Sequence, residues 1–427
     1  MDSKHSNLRS QRRLDLVRKQ LLGNRLLNPC KPTEKCDDDV VIVAACRTPL
    51  TKSGKGPLKD TLPEILTSQV MVELLKRGNV KPEQVEEIVF GNVLQNGAGF
   101  MSARMSQFLA GIPETTTLMT VNRLCSSGLQ AVMNAAYSIK TKQIDIAIAG
   151  GVESMSMYDM NNLVDGEKVS EEVFNTPKAA NCMMPMGITS ENVVEKYGID
   201  RKTQDQFAVD SHTKAAAAQK NGLFDEEIVK IVTKVKDKNG ELKDVTVSKD
   251  DGIREGTKIE NLQKLKAAFK QGGTTTAGNS SQVTDGAAGV LLMRRRVAKN
   301  NGCPIIARIV GYSVAGVPPE IMGIGPAFAI PKVLEKTGLT IDQIDIFELN
   351  EAFASQATYC ANHLKIPAEK VNPKGGAIAL GHPLGCTGAR QIATLLPELK
   401  RQNKKYGLIS MCIGTGMGAA CILEREY

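Results

Sequence analysis

Three stretches in the first half of this 427-residue chain recur in the same order in the second half. Gln84-Val85-Glu86-Glu87-Ile88-Val89-Phe90-Gly91-Asn92 is echoed by Gln343-Ile344-Asp345-Ile346-Phe347-Glu348-Leu349-Asn350. Val121-Asn122 precedes a small-residue loop and a helical stretch, as does Val371-Asn372. The run from Ile144 to Gly151 returns as Leu408 to Gly414. The first and third echoes are short apolar runs read as buried strands, and the second joins such a run to a small-residue loop and a helix. Such a chain is constrained to an α/β fold built from a duplicated unit, too long for one ordinary core and suited to two or three.

The first strand is expected at Val40–Ala45, followed by helices over 62–77 and 128–139. Residues 155–284 interrupt the repeat with a segment richer in Lys, Asp, Glu and Asn, which reads as a solvent-facing insertion. The expected division is therefore an arm over 1–38, a first core over 39–154 plus 285–304, an inserted subdomain over 155–284 and a second core over 305–427. In the arm, Arg9, Arg12, Arg13, Arg18 and Lys19 alternate with leucines. Leu14, Val17 and Leu21 share one helical face. That pattern fits a frayed arm, a mitochondrial leader or an import signal of the Arg13-Leu14…Gln20-Leu21 type.

The composition narrows the function. Trp is absent and aromatics make up 4%, which leaves no base-stacking platform for nucleic acid. The chain contains no apolar run of eighteen residues. The net charge of +8 suits solubility or an anionic phosphorylated ligand. Ten cysteines without a Cys-x-x-Cys pair, beside four histidines, form no zinc pattern.

Four segments carry chemistry. Asn122-Arg123-Leu124-Cys125-Ser126-Ser127-Gly128 sets a cysteine on a tight turn opening a helix, where free N–H groups and the helix dipole favour a thiolate and a depressed thiol pKa. A small buried cysteine beside a Ser cap is the alternative. Gly375 to Arg390 surrounds His382 with glycines, which implies close backbone packing. Cys412-Ile413-Gly414-Thr415-Gly416-Met417-Gly418 has a dinucleotide look, but too little chain follows for a βαβ unit. Gly414 is read instead as a close main-chain approach to whatever Cys412 faces. Asn350, in Asn350-Glu351-Ala352-Phe353-Ala354, places a carboxamide at a strand end. His212 and His363 are read as packing or surface residues.

Together with Gly150 to Met155, Thr276 to Ser281 and Asp285 to Ala288, these blocks resemble the thiolases from about Val40 to the C-terminus, and among them the degradative peroxisomal branch. The resemblance implies a layered α/β fold of two duplicated βαβαβαββ cores. It implies cleavage of 3-ketoacyl-CoA by CoA, with Cys125 as nucleophile, His382 as its base, Cys412 as second acid/base, and Asn350 and Gly414 as oxyanion groups. Ser281 and Arg254 match the coenzyme A contacts. Coenzyme A is then a co-substrate, and no metal, nicotinamide or flavin is required. A homodimer in the peroxisome, delivered by an import receptor that reads the arm, is also implied. A C4-specific acetoacetyl-CoA enzyme would carry the same groups, and a catalytically inert carrier would keep only the fold.

Overall fold

The computed structural model describes residues 34–236 and 240–426. The basic leucine-rich part of the arm lies outside them. Its last residues are tied down: the Glu34 carbonyl accepts from Arg308 at 2.8 Å, and Asp37 and Asp38 pair with Lys299 and Lys142.

Among the described residues, ten of the twelve strands form one sheet. They are β1 (Val40–Arg47), β2 (Thr51–Lys52), β3 (Glu87–Gly91), β4 (Thr117–Val121), β5 (Ile146–Ser154), β8 (Thr284–Arg294), β9 (Ala307–Gly316), β10 (Ile346–Leu349), β11 (Tyr406–Ile413) and β12 (Met417–Arg425). The hairpin of β6 (Ile231–Lys236) and β7 (Leu242–Val247) stands apart in the insertion. The order β10-β11-β12-β9-β1-β8-β5-β3-β4 reads outward from the central antiparallel β1–β9 pair in two matching directions. On one side β8 runs antiparallel to β5, and β5, β3 and β4 are parallel. On the other, β12 is antiparallel to β11, β11 and β10 are parallel, and a single parallel bridge from Phe347 to Val371 takes the place of β4. The three sequence echoes occupy equivalent places, so the duplication is structural.

The helices used below are α1 (Pro63–Gly78), α2 (Phe100–Leu109), α3 (Ser127–Lys140), α4 (Met186–Tyr197), α5 (Arg201–Lys220), α6 (Gly325–Thr337), α7 (Ala354–His363) and α8 (Thr387–Arg401). α3 and α8 are buried around most of their circumference, and α8 includes the polar Arg390, Gln391 and Thr394 among its buried side chains. Leu129, Val132 and Ile139 of α3 share one core with Ile392, Leu395 and Leu399 of α8, roofed by strands from both halves. β1 shows the layering by alternation: Val40 and Ile42 face this central core, whereas Val41 and Val43 face α1. α6 and α7 close the outer face of the second half. The two central helices meet at glycines. A Cβ on Gly128 would lie 2.5 Å from the Gly385 carbonyl, and one on Gly388 would collide with the backbone of Leu129. That main-chain contact brings the starts of α3 and α8 together, and those starts carry Cys125 and His382.

Candidate active site

Cys125 sits on a turn wound by its own side chains. Asn122 Oδ1 accepts from the Leu124 amide, and Ser127 Oγ accepts from the Arg123 amide and donates to the Leu124 carbonyl. The turn forces Leu124 to φ +45°, a left-handed conformation uncommon outside glycine, and so presents the next residue at the head of α3. The Cys125 sulfur accepts from the Gly414 amide and from its own. These donors do not produce the depressed thiol expected from the helix terminus. Burial dominates and pushes Cys125 up to about 11, with Glu153 adding to the rise. Taking a thiolate out of water outweighs two amide donors, so in the resting site Cys125 is a thiol that needs a base.

Gly414 and Cys412 come from the hairpin between β11 and β12, where Ile413 pairs with Met417 and the turn uses Thr415 at φ +66° and Gly416 at φ +95°. A dinucleotide loop is excluded, because the chain returns at once as β12. A Cβ on Gly414 would stand 3.1 Å from Leu124 Cδ1 and 3.5 Å from Met186 Sδ, so the bare backbone is what reaches Cys125. Cys412 is fully buried among Met322, Ala352, Phe353 and Met186. Burial raises its thiol well above the usual range, and the neighbouring Cys125 raises it further.

His382 follows Gly381, whose φ of +109° turns the chain into the site. Its Nδ1 lies 2.6 Å from Thr387 Oγ1, which in turn reaches the Pro383 carbonyl at 3.4 Å. That chain assigns the hydrogen to Nδ1 and leaves the Nε2 lone pair open, 3.5 Å from Asn350 Nδ2. Burial, helped by the charge of Arg390, pushes His382 down to about 3, which makes it a neutral imidazole at physiological pH. Asn350 is fixed through its main chain, donating to Ser410 and accepting from Gln356. Its buried Oδ1 has no hydrogen-bond partner among the described residues.

Glu153, at the end of β5, holds the two halves in register. Its carboxylate accepts from Asn92 Nδ2 and the Leu94 amide through one oxygen, and from the Val93 and Gly385 amides through the other. Leu94 and Val93 pack on Cys125 together with Leu384 and Met155. Glu153 thus ties the Cys125 wall to the His382 turn. In the sequence Glu153 lies within the Gly150–Met155 block, where nothing local marks it for this role. Thr387 was likewise missed, though its place five residues after His382 is a usable signal.

Ser281 is half-buried beside this cluster, its amide bonded to the Ala352 carbonyl at 2.9 Å. Arg254 is exposed, and its amide donates to Nδ1 of the buried His212 at 3.2 Å, so His212 is the packing residue expected. His363 stacks on Tyr359. Among the described residues no three His, Cys, Asp or Glu side chains are grouped to hold a metal ion.

Comparison with known proteins accords with this geometry. Residues 40–296 match the thiolase N-terminal domain and residues 303–425 the thiolase C-terminal domain. The chain is 56% identical over 399 residues to 3-ketoacyl-CoA thiolase A, peroxisomal, of Rattus norvegicus, covering 93% of this chain and 91% of that one. It is 56% identical over 387 residues to the peroxisomal 3-ketoacyl-CoA thiolase of Homo sapiens, covering 90% and 91%. The crystal structure of the dimeric peroxisomal thiolase of Saccharomyces cerevisiae superposes with a TM-score of 0.85 at 48% identity, covering 92% of this chain and 99% of that one. The chain belongs to the thiolase family.

Proposed function

We propose that this enzyme cleaves 3-ketoacyl-CoA with coenzyme A, giving acetyl-CoA and an acyl-CoA two carbons shorter, through an acyl-Cys125 intermediate. The reading is supported by the Gly414 amide on the Cys125 sulfur, by the nearness of Cys412 to Cys125, and by a neutral His382 on the turn whose Leu384 packs with Cys125.

Cys125 attacks the 3-keto carbon while His382 Nε2 takes its proton, the two charges forming together as each other's counter-ion. The resulting alkoxide rests on the Cys125 and Gly414 amides. It collapses by breaking the C2–C3 bond, and the electron pair leaves as the acetyl-CoA enolate, which takes a proton from Cys412. Protonated His382 and a water held by Asn350 stabilise the enolate oxygen. In the second half, the Cys412 thiolate removes the proton from incoming coenzyme A, whose sulfur attacks the acyl-enzyme. Cys125 leaves as thiolate and regains its proton from His382, so every group returns to its starting state.

Ser281 and Arg254 are assigned to the pantetheine and adenine ends of coenzyme A, within the inserted segment 155–284. Coenzyme A acts as co-substrate, and no resident metal or organic cofactor is assigned. The 56% identity to two peroxisomal 3-ketoacyl-CoA enzymes favours this reading over a C4-specific condensing enzyme. It also supports placement in the peroxisome, with the arm as the part an import receptor reads. A homodimer is inferred from the dimeric yeast relative. The outer edge of β4 and the exposed Met101, Met105 and Phe108 of α2 offer a surface for it.

Mass spectrometry of the protein after brief exposure to a 3-ketoacyl-CoA tests the reading. An acyl adduct on the Cys125 peptide, discharged by coenzyme A, is expected; no adduct, or an adduct elsewhere, refutes it.

A further inference from the structure

We propose that Gln282 is a positioning residue that couples the coenzyme A-holding segments to the His382 turn, an inference that rests on the acyl-transfer reading above. Gln282 follows Ser281 directly, and its main-chain carbonyl accepts the His382 amide at 3.0 Å and the Thr284 hydroxyl at 2.7 Å. Its side chain reaches the other way. Nε2 lies 2.9 Å from the Gly252 carbonyl, 2.9 Å from that of Ile378 and 3.1 Å from that of Ala379.

The orientation of this carboxamide is forced, because an oxygen in the Nε2 position would face three carbonyl oxygens. The true oxygen is buried and has no partner among the described residues. Gly252 lies flat against the carboxamide: a Cβ there would stand 2.6 Å from the Ala379 carbonyl, 3.0 Å from Nε2 and 3.1 Å from Oε1.

One side chain therefore joins three pieces of chain. The first is 252–254, which ends in Arg254 and is anchored on His212. The second is Ser281, held to Ala352. The third is the short helical turn Ala377–Leu380, whose C-terminal cap is Gly381, next to His382. A ligand that draws Arg254 and Ser281 together is felt at the imidazole through Gln282. Occupancy of the coenzyme A site thereby sets the geometry of the base.

The test uses the full chain with Gln282→Met, which keeps the volume without donors, Gln282→Glu, which sets a carboxylate against three carbonyls, and Gln282→Ala. Acyl-Cys125 formation is followed in a single turnover at saturating 3-ketoacyl-CoA, normalised to the folded fraction read by circular dichroism. The KM for coenzyme A is measured separately. All three variants should slow acylation about tenfold or more and raise that KM by a similar factor. The coupling is overturned if Gln282→Met keeps both values, since packing alone would then suffice. It is also overturned if the losses vanish on normalisation, since the role would then be stability. If the unaltered chain itself forms no acyl-Cys125, the acyl-transfer reading fails and takes the coupling with it; if it does, a silent Met variant sinks the coupling alone.

Discussion

Replacing Glu153 by Gln probes how the two halves are held in register. Each carboxylate oxygen accepts two N–H donors at 2.9–3.1 Å. A carboxamide keeps one oxygen and turns the other into an NH2 facing two donors. Two buried donors lose their acceptor at about 1–3 kcal/mol each, or about 2–6 kcal/mol together. Some of that is regained because a charge no longer has to be desolvated, which leaves about 2–4 kcal/mol of lost stability. The kinetic effect follows from which donors are released. Gly385 is three residues from His382 and Val93 packs on Cys125, so the base moves relative to the nucleophile. A shift of about 1 Å costs on the order of 100-fold in rate. Urea unfolding should show the lower midpoint, and initial rates at saturating substrates should show the fall in kcat with a smaller change in KM. Burial pushes Glu153 up to about 7, so the unaltered enzyme loses its carboxylate, and with it activity, as pH falls through about 7. The Gln variant should lack that limb. A variant with unchanged kcat and midpoint, or one that keeps the acid limb, would refute the reasoning.

Four further outcomes are expected. Cys125→Ala should abolish turnover and retain the unfolding midpoint; substantial residual thiolysis would remove Cys125 from its role. Burial, then the charges of Arg254 and Lys52, pushes His212 from 6.5 down to about 4, so the unfolded chain takes up that proton first as pH falls. The stability gap between the native chain and His212→Gln should therefore shift against the native chain by about 1.4 kcal/mol per pH unit between 6.5 and 4; denaturant titrations at a series of pH values with a constant gap would contradict this. Phe108→Asp with Met119→Asp, which charges two residues exposed at 50% and 41% on α2 and β4, should convert a dimer to a monomer in light scattering; an unchanged mass would place the interface elsewhere. Deleting residues 1–33 should stop organelle import and leave activity intact, because the anchoring contacts of the described chain begin at Glu34; import of the truncated protein would disprove the assignment of the signal.

Much of this was legible in the sequence. The strand and helix runs, the duplication and the groups that carry the chemistry are local properties: apolar periodicity, small-residue turns, and reactive side chains set among glycines. Cys125 could be picked out because its turn is built from neighbours, Asn122 and Ser127, within a few residues. What local pattern cannot encode is which distant groups meet, and in what dielectric. The depressed thiol expected at the head of α3 failed on that point, because the sheet halves and the α3–α8 contact bury the sulfur, and desolvation is a property of everything packed around it. Glu153 and Gln282 carried no signal as residue types. Their parts exist only because the fold brings the amide of Gly385 and the carbonyls of Gly252, Ile378 and Ala379 within hydrogen-bonding distance of them. The chain by itself determined the reactive groups and the repeated unit that carries them. Tertiary packing determined their protonation, their neighbours and the glycine-to-glycine approach that makes one site of two halves, because burial and contact are set by long-range closure rather than by sequence separation.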